Sequence, residues 1–461
     1  MHTWNGNVER LAQDILAYAQ HRLALDPLPL DNTRPFSELM EEAGSTITAT
    51  GLGGETALRI FSEVLAPACI TANHPRFLAF IPCAPTPASM LFDLVVGASS
   101  ICGSNWLEAA GAVFAENQAL RWIADLADFP PDSGGTFVQG GTIANISALV
   151  SARHAVRDRL PASRVQGRRW AIAVSPDAHS SLAEAAEVMD VDLVVAAVDE
   201  EQRLRGSELT RTLDAVESAG NQIVFAVVAS AGTTNLGVID DLVSLGAVAA
   251  ERKIWFHVDG AYGAAALAAP SARPRFQGIE LADSFIVDPH KWLFAPFDCA
   301  ALIYREPELA RATHTQHASY LEPVAQVGEW SPSDYAIHLT RRARGLPFWF
   351  SLATYGTAAY TQAIERTLEV ARYTAKAVRN RDYLTLVREP DLSVVCFQRI
   401  GWSREHYYRW SEKLRDEGVA FVTPTTHLGE VVARVAIVNP QTSESDIDLV
   451  LDSMAATPDG T

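Results

Sequence analysis

Seven short, largely apolar segments, separated by stretches with helical periodicity, constrain the fold of this chain most strongly. They lack the strict alternation of a strand that has one face in water, and such strands are typical of sheets buried on both faces. Alternation with helices predicts a mostly parallel central sheet covered by helices. Ligands of such sheets bind beyond the carboxyl ends of the strands. The segments are residues 136–138, 171–174, 193–196, 223–228, 254–258, 285–287 and 300–304.

Helical patterns on both sides of this region predict two further parts of the chain. Residues 1–84 carry apolar positions at helical spacing and are expected to form an arm too thin to bury its own apolar stripe. Residues 85–345 form the predicted large domain, and residues 346–461 a small α+β domain. The arm is predicted to contain helices over 6–24 and 53–70. The small domain is predicted to contain a helix near 346–380, strands at 393–397 and 431–438, a helix near 404–417 and a terminal helix.

Composition and charge exclude several classes of function. The chain has 461 residues and a net charge of −18, which disfavours nucleic acid and anionic membrane surfaces as partners. Charged residues within the first amphipathic helix distinguish it from a signal peptide. The five cysteines are scattered without CxxC spacing, so neither a disulfide framework nor a zinc site is predicted. We therefore expect a cytoplasmic protein without a metal. One basic run, 341–344, fits either an anion site or a solvated surface.

Two charged side chains follow apolar segments that we expect to be strands of the same sheet. Asp259 directly follows the segment 254–258, and Lys291 follows 285–287 after an Asp-Pro-His turn. Pyridoxal phosphate (PLP) chemistry requires such a pair, because an amine bonds to the cofactor's aldehyde and a carboxylate keeps the pyridine nitrogen protonated. Taken alone, the pair also fits a buried salt bridge. His257 shares a strand face with Asp259 and is a candidate either to orient it or for a structural role.

A pair of glycines stands between a predicted strand and a predicted helix. In Gly140-Gly141-Thr142 the glycines allow close backbone approach, and the helix N-terminus offers unpaired N–H groups. Taken alone, this pattern also fits an ordinary turn. Together with the lysine and the carboxylate, it assigns Gly141 and Thr142 to the cofactor phosphate.

Eight short motifs resemble, in order, those of the PLP-dependent group II amino-acid decarboxylases, which include aromatic-L-amino-acid, glutamate and diaminobutyrate decarboxylases. The resemblance covers roughly residues 70 to 445. It implies a fold type I PLP enzyme of aspartate aminotransferase-like architecture. It also implies an obligate homodimer with shared active sites, in which the N-terminal arm wraps around the partner subunit. The motifs are His74-Pro75-Arg76-Phe77, Asn105-Trp106, Gly140-Gly141-Thr142, His179-Ser180-Ser181, Gly232-Thr233-Thr234, His257-Val258-Asp259, Pro289-His290-Lys291-Trp292 and Asn439-Pro440.

The resemblance assigns roles around the cofactor. It implies that Lys291 holds PLP, that His179 stacks on one face of the ring and that Ala261 presses on the other. Thr234 is expected to hydrogen-bond either the cofactor or His179. His290 joins the cofactor-binding residues, with its own contribution left open. A capping histidine and an N-cap threonine are the structural alternatives at positions 179 and 234.

An irregular segment, residues 306–345, is expected to be functional or mobile because so long a stretch without clear periodicity is uncommon inside an enzyme. The resemblance aligns Tyr320 with the family's mobile-loop tyrosine, which donates a proton to Cα after CO2 leaves. Related aldehyde synthases carry phenylalanine there, so the tyrosine favours simple decarboxylation. A surface loop aromatic is the alternative.

The residues aligned with the family's substrate-lining segments are mostly apolar or aromatic and favour an aromatic substrate. They are Phe80, Pro82, Cys83, Ser104 and Trp106. Where animal aromatic decarboxylases have threonine and asparagine, this chain has Cys83 and Asp288, which weakens the transfer of substrate specificity.

The expected reaction is α-decarboxylation of an L-amino acid, aromatic by our interpretation, to the amine and CO2. The alternatives are oxidative decarboxylation-deamination to an aldehyde, transamination, and decarboxylation of a non-aromatic amino acid such as glutamate or diaminobutyrate. A catalytically silent homologue is disfavoured because Lys291, Asp259 and His179 are all present.

Overall fold

A seven-stranded sheet lies at the centre of the protein and confirms the predicted α/β architecture. The structure is a computed structural model that describes residues 2–456. The strands lie in the order β1-β7-β6-β5-β4-β2-β3. Only β7 runs against its neighbours, β1 and β6, so the other strands of this sheet share one direction. The strands are β1 (Gly134–Val138), β2 (Arg169–Val174), β3 (Asp192–Val195), β4 (Gln222–Ser230), β5 (Trp255–Asp259), β6 (Ser284–Val287) and β7 (Ala300–Tyr304).

The N-terminal region is helical, as predicted. It contains α1 (Gly6–Leu23), α2 (Phe36–Ala43) and α3 (Gly54–Ile60), and a π-helical turn and a 3-10 turn extend α3 to Ala68. The sequence patterns did not predict α2. Neither α1 nor α2 contains a buried residue in the single chain.

Helices cover both faces of the central sheet because alternate residues of each strand point to opposite sides. In β2, Ala171 and Ala173 join the core on one face, whereas Ile172 and Val174 join the core on the other. The helices of this region are α4 (Pro87–Ala98), α5 (Trp106–Leu126), α6 (Gly141–Arg159), α7 (Ala162–Val165), α8 (Ser181–Val188), α9 (Gly206–Ala219), α10 (Leu242–Arg252), α11 (Pro289–Trp292), α12 (Pro307–His314) and α13 (Glu322–Val327). Short 3-10 turns lie at Gly263–Ala268, Arg273–Phe276, Ile279–Leu281, Ser319–Leu321 and Pro332–Asp334.

The C-terminal region packs helices against a second sheet, of strand order β10-β11-β9-β8. The predicted helix near 346–380 is two helices, separated at Gly356. The domain boundaries at residues 84 and 345 stay predictions. The elements are α14 (Leu346–Tyr355), α15 (Thr357–Arg379), β8 (Leu384–Leu386), β9 (Val394–Arg399), α16 (Arg404–Asp416), β10 (Thr425–His427), β11 (Glu430–Ala436) and α17 (Glu444–Asp452). No helix within residues 2–456 has both the length and the apolar character needed to cross a membrane.

Candidate active site

A cavity of about 240 Å³ lies at the carboxyl ends of the parallel strands, where the fold predicts a ligand. The strand pairing places Ser230 beside Asp259 and Asp259 beside Ile286, so the ends of β4, β5 and β6 meet there. Every residue that we predicted to bind the cofactor lines this cavity. The lining residues are Gly140, Gly141, Thr142, Asn145, His179, Ser181, Ser230, Gly232, Thr233, Thr234, Asp259, Ala261, Tyr262, Asp288, His290 and Lys291.

Asp259 ends β5 and presents its carboxylate to the cavity. Its Oδ2 accepts a hydrogen bond from Asn145 Nδ2 at 2.9 Å, and its Oδ1 accepts one from the Ala261 N–H at 3.1 Å. Both partners are donors, so both oxygens of this carboxylate act as hydrogen-bond acceptors. An ionised carboxylate here can accept a further hydrogen bond from a protonated pyridine nitrogen.

Lys291 lies in the short helix α11, directly after β6. Its Nζ is 3.0 Å from Asp288 Oδ2, and the Asp288 side chain is only 1% exposed. The other carboxylate oxygen of Asp288 is buried without a hydrogen-bond partner. His290 Nδ1 accepts a hydrogen bond from the Cys299 N–H at 2.9 Å, so the backbone holds this ring in place. Burial lowers the pKa of His290. Lys291 therefore does form a salt bridge, but with Asp288 and not with Asp259.

The glycines after β1 leave a narrow space at the N-terminus of a helix. Gly141 begins the 19-residue helix α6, whose first N–H groups have no partners within the helix. A Cβ on Gly141 would lie 3.1 Å from Asp288 Oδ2 and 3.3 Å from the Ala261 Cβ, so a side chain here would crowd the cavity. Opposite, Gly232 has a φ of 111°, and a Cβ there would lie 2.9 Å from the Gly263 Cα.

These residues fit PLP. One cavity holds an amine, a carboxylate whose partners are all donors, and a glycine-lined helix N-terminus, which match the aldehyde, the pyridine nitrogen and the phosphate of the cofactor. The unpartnered buried oxygen of Asp288 is a further group that a ligand can satisfy.

His179 and Thr234 lie on the cavity wall. His179 Nδ1 is 2.9 Å from Ser181 Oγ and 3.2 Å from the Ser181 backbone nitrogen. The Thr234 carbonyl accepts hydrogen bonds from the buried Arg434, whose Nη1 also donates to the Phe80 carbonyl at 2.7 Å. The stacking of His179 on the ring and the hydrogen bond from Thr234 remain predictions.

The predicted substrate residues and Tyr320 are absent from the residues lining this cavity in the single chain. Tyr320 lies in a 3-10 turn and is 70% exposed. Cys83 is buried against the Ala295 carbonyl, whereas Phe80 is exposed. Ser104 and Trp106 flank Asn105, which lines a second cavity of about 410 Å³ beside the segment that carries Tyr320. Their roles, like that of Pro82, stay predictions.

The basic run 341–344 is engaged in ion pairs away from the cavity. Arg341 and Glu116 form a buried pair at 2.7 Å, and Arg341 also donates to the Gly103 carbonyl. Arg342 pairs with Asp93 and Arg344 with Asp298. Arg341 therefore stabilises the segment around Ser104, and none of these three arginines lines the cofactor cavity.

Sequence reasoning missed three residues that hold the site together: Asn145, Ser181 and Arg434. Asn145 lies four residues after Gly141 in α6, one turn along the same helix face, which is a signal that could have identified it. His257 hydrogen-bonds to Asn145, which in turn hydrogen-bonds to Asp259. No sequence signal marks Arg434, because its contacts lie in a distant part of the chain.

Comparison with known proteins adds a family and a fold. Residues 54–400 match the profile described as "Pyridoxal-dependent decarboxylase conserved domain". An aromatic-L-amino-acid decarboxylase of Bacillus atrophaeus is 27% identical, over 96% of this chain and 95% of its own length. An L-2,4-diaminobutyrate decarboxylase of Rhizobium meliloti is 30% identical, over 94% of this chain and 84% of its own. The fold matches a crystal structure of Oryza sativa TDC with PLP and tryptamine, with a TM-score of 0.91 and 24% identity over 98% of this chain and 99% of that one.

Proposed function

This chain belongs to the pyridoxal-dependent decarboxylase family, and we propose that it converts an aromatic L-amino acid to the corresponding amine and CO2. The protein is a PLP-dependent amino-acid decarboxylase; the aromatic substrate and the individual residue roles are the proposal. The observation that carries these roles is the single cavity that brings Lys291, Asp259 and the Gly141 helix N-terminus together.

The cofactor and four side chains have separate roles in the proposed reaction. Bound PLP supplies an electron sink for the pair of electrons left when the bond from Cα to the carboxylate breaks. Lys291 would hold the cofactor through a bond from its amine to the aldehyde. Asp259 holds the proton on the pyridine nitrogen, which strengthens the sink. His179 orients the ring, and Tyr320 returns a proton to Cα.

The aromatic substrate is supported by the uncharged character of the five predicted substrate residues. Diaminobutyrate would bring an ammonium group that needs a carboxylate, and glutamate would bring a carboxylate that needs a cation. Arg76 is the cation near these segments in sequence, but it donates to the Val419 carbonyl and pairs with Asp446 at 3.3 Å. A glutamate substrate would have to replace these contacts.

A panel of amino acids tests the proposal, with amine, CO2, aldehyde and hydrogen peroxide all measured. We expect amine and CO2 in equal amounts and the highest kcat/KM for tryptophan, phenylalanine, tyrosine or DOPA. A preference for diaminobutyrate or glutamate would overturn the aromatic proposal. Aldehyde and peroxide as main products would overturn simple decarboxylation.

We further propose a homodimer and a cytoplasmic location. The five cysteines, all within the described residues, are free, as is usual in a reducing compartment. The arm helices α1 and α2 contain no buried residue in the single chain, and α4 carries a row of exposed apolar side chains, which favours a protein interface. These exposed side chains are Ile15, Leu16, Met40, Leu91, Leu94 and Val95.

Mixing two inactive variants tests whether the dimer shares its sites. The test uses a mixture of Lys291→Ala and Trp106→Ala subunits. If each site takes Trp106 from the partner subunit, one of the two sites in every mixed dimer has both residues intact. Random exchange should then restore about a quarter of wild-type activity. Each variant incubated alone is the control. No recovery despite verified subunit exchange would place Trp106 in its own subunit's site, and a fully active monomer would refute the dimer.

Tyr320→Phe tests the proton donor. Without the hydroxyl, cofactor binding and CO2 loss remain, but the electron pair at Cα persists longer and can react with oxygen. We expect products to shift from amine toward aldehyde, ammonia and hydrogen peroxide. Tyr355→Phe, an exposed tyrosine at the end of α14, is the matched control. Amine release at the wild-type rate would remove Tyr320 from the mechanism and make His179 the next candidate.

A further inference from the structure

Asn145 joins three side chains at and behind the cofactor cavity through a single amide. Its side chain is almost completely buried, with 1% of its surface exposed. Its Nδ2 is 2.9 Å from Asp259 Oδ2 and 3.1 Å from Ser181 Oγ. Its Oδ1 is 2.9 Å from His257 Nε2. All the hydrogen-bonding capacity of the NH2 group is therefore used on the two residues that lead to the cofactor.

The hydrogens behind Asn145 can be placed from donor chemistry alone. Trp255 Nε1 can only donate, and it lies 2.8 Å from Ser284 Oγ. Asn145 turns its Nδ2 to the Asp259 carboxylate and therefore its Oδ1 to His257 Nε2, which must carry the imidazole proton. Nδ1 of the neutral ring then accepts from the Ser284 hydroxyl at 2.8 Å. Complete burial lowers the pKa of His257 to about 4, so the ring is neutral and takes this single tautomer.

The hydrogens on the cavity side of Asn145 can be placed in the same way. One Asn145 hydrogen points to the Asp259 carboxylate and the other to Ser181 Oγ. Because Ser181 Oγ accepts from Asn145, its own hydrogen is available for His179 Nδ1 at 2.9 Å. The Ser181 backbone N–H also points to this nitrogen, at 3.2 Å. His179 Nδ1 is thus an acceptor, which places a ring proton on Nε2.

We propose that Asn145 is a positioning residue that sets two proton positions at once. Through one hydrogen it holds Asp259 as an ionised acceptor for the pyridine nitrogen. Through the other, by way of Ser181, it holds His179 as the Nε2–H tautomer, so the protonated nitrogen of this ring is the one available to a ligand. The identity of the ligand rests on the proposed function; the hydrogen pattern does not.

The geometry explains why asparagine stands at position 145. An aspartate would place a second carboxylate within 3 Å of Asp259 and force the pair to share a proton. Removing the amide leaves His257 Nε2 without its acceptor inside the core. Only a group with one acceptor and two donors satisfies His257, Asp259 and Ser181 together.

Two variants separate the branches of this network. Ser181→Ala removes the His179 branch and keeps the bond from Asn145 to Asp259, whereas Asn145→Ala removes both. Ser151→Ala is the matched control. Ser151 is a buried serine in α6, the helix that carries Asn145, and its hydroxyl bonds to His314 outside the cavity. Asn145→Ser is the substitute if the alanine variant does not fold.

The first readout is the imidazole of His179 in ligand-free protein with nitrogen-15-labelled histidine, assigned by loss of the signal in His179→Gln. We expect the Nε2–H tautomer in the wild type and in Ser151→Ala. Ser181→Ala leaves only the longer bond from the backbone N–H of residue 181, at 3.2 Å, to hold Nδ1 as an acceptor. We therefore expect part of the Nε2–H population to shift to the Nδ1–H tautomer in Ser181→Ala and in the Asn145 variant. An unchanged His179 tautomer in Ser181→Ala would overturn the His179 branch of the proposal. This measurement needs neither cofactor nor substrate, so its outcome is independent of the proposed reaction.

The second readout is the protonation of the pyridine nitrogen in PLP labelled at that atom and bound to each variant. We expect it to be protonated in the wild type, in Ser181→Ala and in Ser151→Ala, and partly deprotonated in the Asn145 variant. PLP affinity should fall roughly ten-fold in that variant, the scale of losing one hydrogen bond to a charged group. Full protonation with unchanged affinity in the Asn145 variant would overturn the Asp259 branch.

Discussion

Lys291→Ala is expected to reduce amine formation by at least about 10³-fold, the scale of loss when a residue acting at the reacting centre is removed. The variant should still bind PLP through Asp259 and the Gly141 helix N-terminus, but without the visible absorbance of the lysine-bound cofactor. Activity assays and an absorbance spectrum measure both effects. Turnover close to wild type would show that another amine holds the cofactor.

Lys291→Arg separates the covalent role of this lysine from its charge. Lys291 Nζ pairs with the buried Asp288, so the alanine variant also leaves that carboxylate without its cation. Arginine keeps a positive charge near Asp288 but cannot form the bond to the cofactor. We expect Lys291→Arg to retain more of the thermal stability than Lys291→Ala and to be as inactive. Recovery of activity in the arginine variant would mean that charge pairing is the main contribution of Lys291.

Asp259→Asn is expected to lower turnover by about 10²–10³-fold, the range for removing one electrostatic stabiliser of a transition state. The amide cannot hold the charge of a protonated pyridine nitrogen. It also meets two donors, Asn145 Nδ2 and the Ala261 N–H, and its single oxygen can satisfy only one of them. Unfolding stability should therefore fall as well, by about 1–3 kcal/mol.

Asp283→Asn is the matched control for this prediction. Asp283 is a partly buried carboxylate directly before β6, where it accepts a hydrogen bond from the Phe256 N–H near the start of β5, and it does not line the cavity. Its substitution should affect stability and leave kcat nearly unchanged. If Asp259→Asn turns over at the wild-type rate with PLP bound, Asp259 has a structural role only.

The strands of the central sheet could be predicted because each is an apolar run bounded by polar turns. The segment predicted at 223–228 is the core of β4, and that at 300–304 matches β7 in full. The antiparallel direction of β7 could not be predicted, since an apolar run reads the same in either direction. Helix α2 was missed because eight residues carry little periodic signal, and β8 and β10 are only three residues long.

The cofactor cavity could be predicted where chemistry is concentrated in one motif at a strand end, as for Asp259, His179 and Lys291. Asn145 and Arg434 were missed because their contacts depend on tertiary approach. Arg434 lies in β11 and reaches the Thr234 carbonyl, 200 residues earlier in the chain. The predicted substrate residues lie outside the cavity in the single chain. In the proposed dimer, some of them would reach the site of the partner subunit.

Mapping the modified peptide identifies the lysine that holds the cofactor, which we propose to be Lys291. The chain has four lysines, Lys253, Lys291, Lys376 and Lys413, so every outcome can be assigned. Borohydride reduction of the PLP-bound enzyme followed by proteolysis and mass spectrometry should place one pyridoxyl group on the peptide that contains Lys291. A pyridoxyl group on Lys253, Lys376 or Lys413 with Lys291 unmodified would contradict this account.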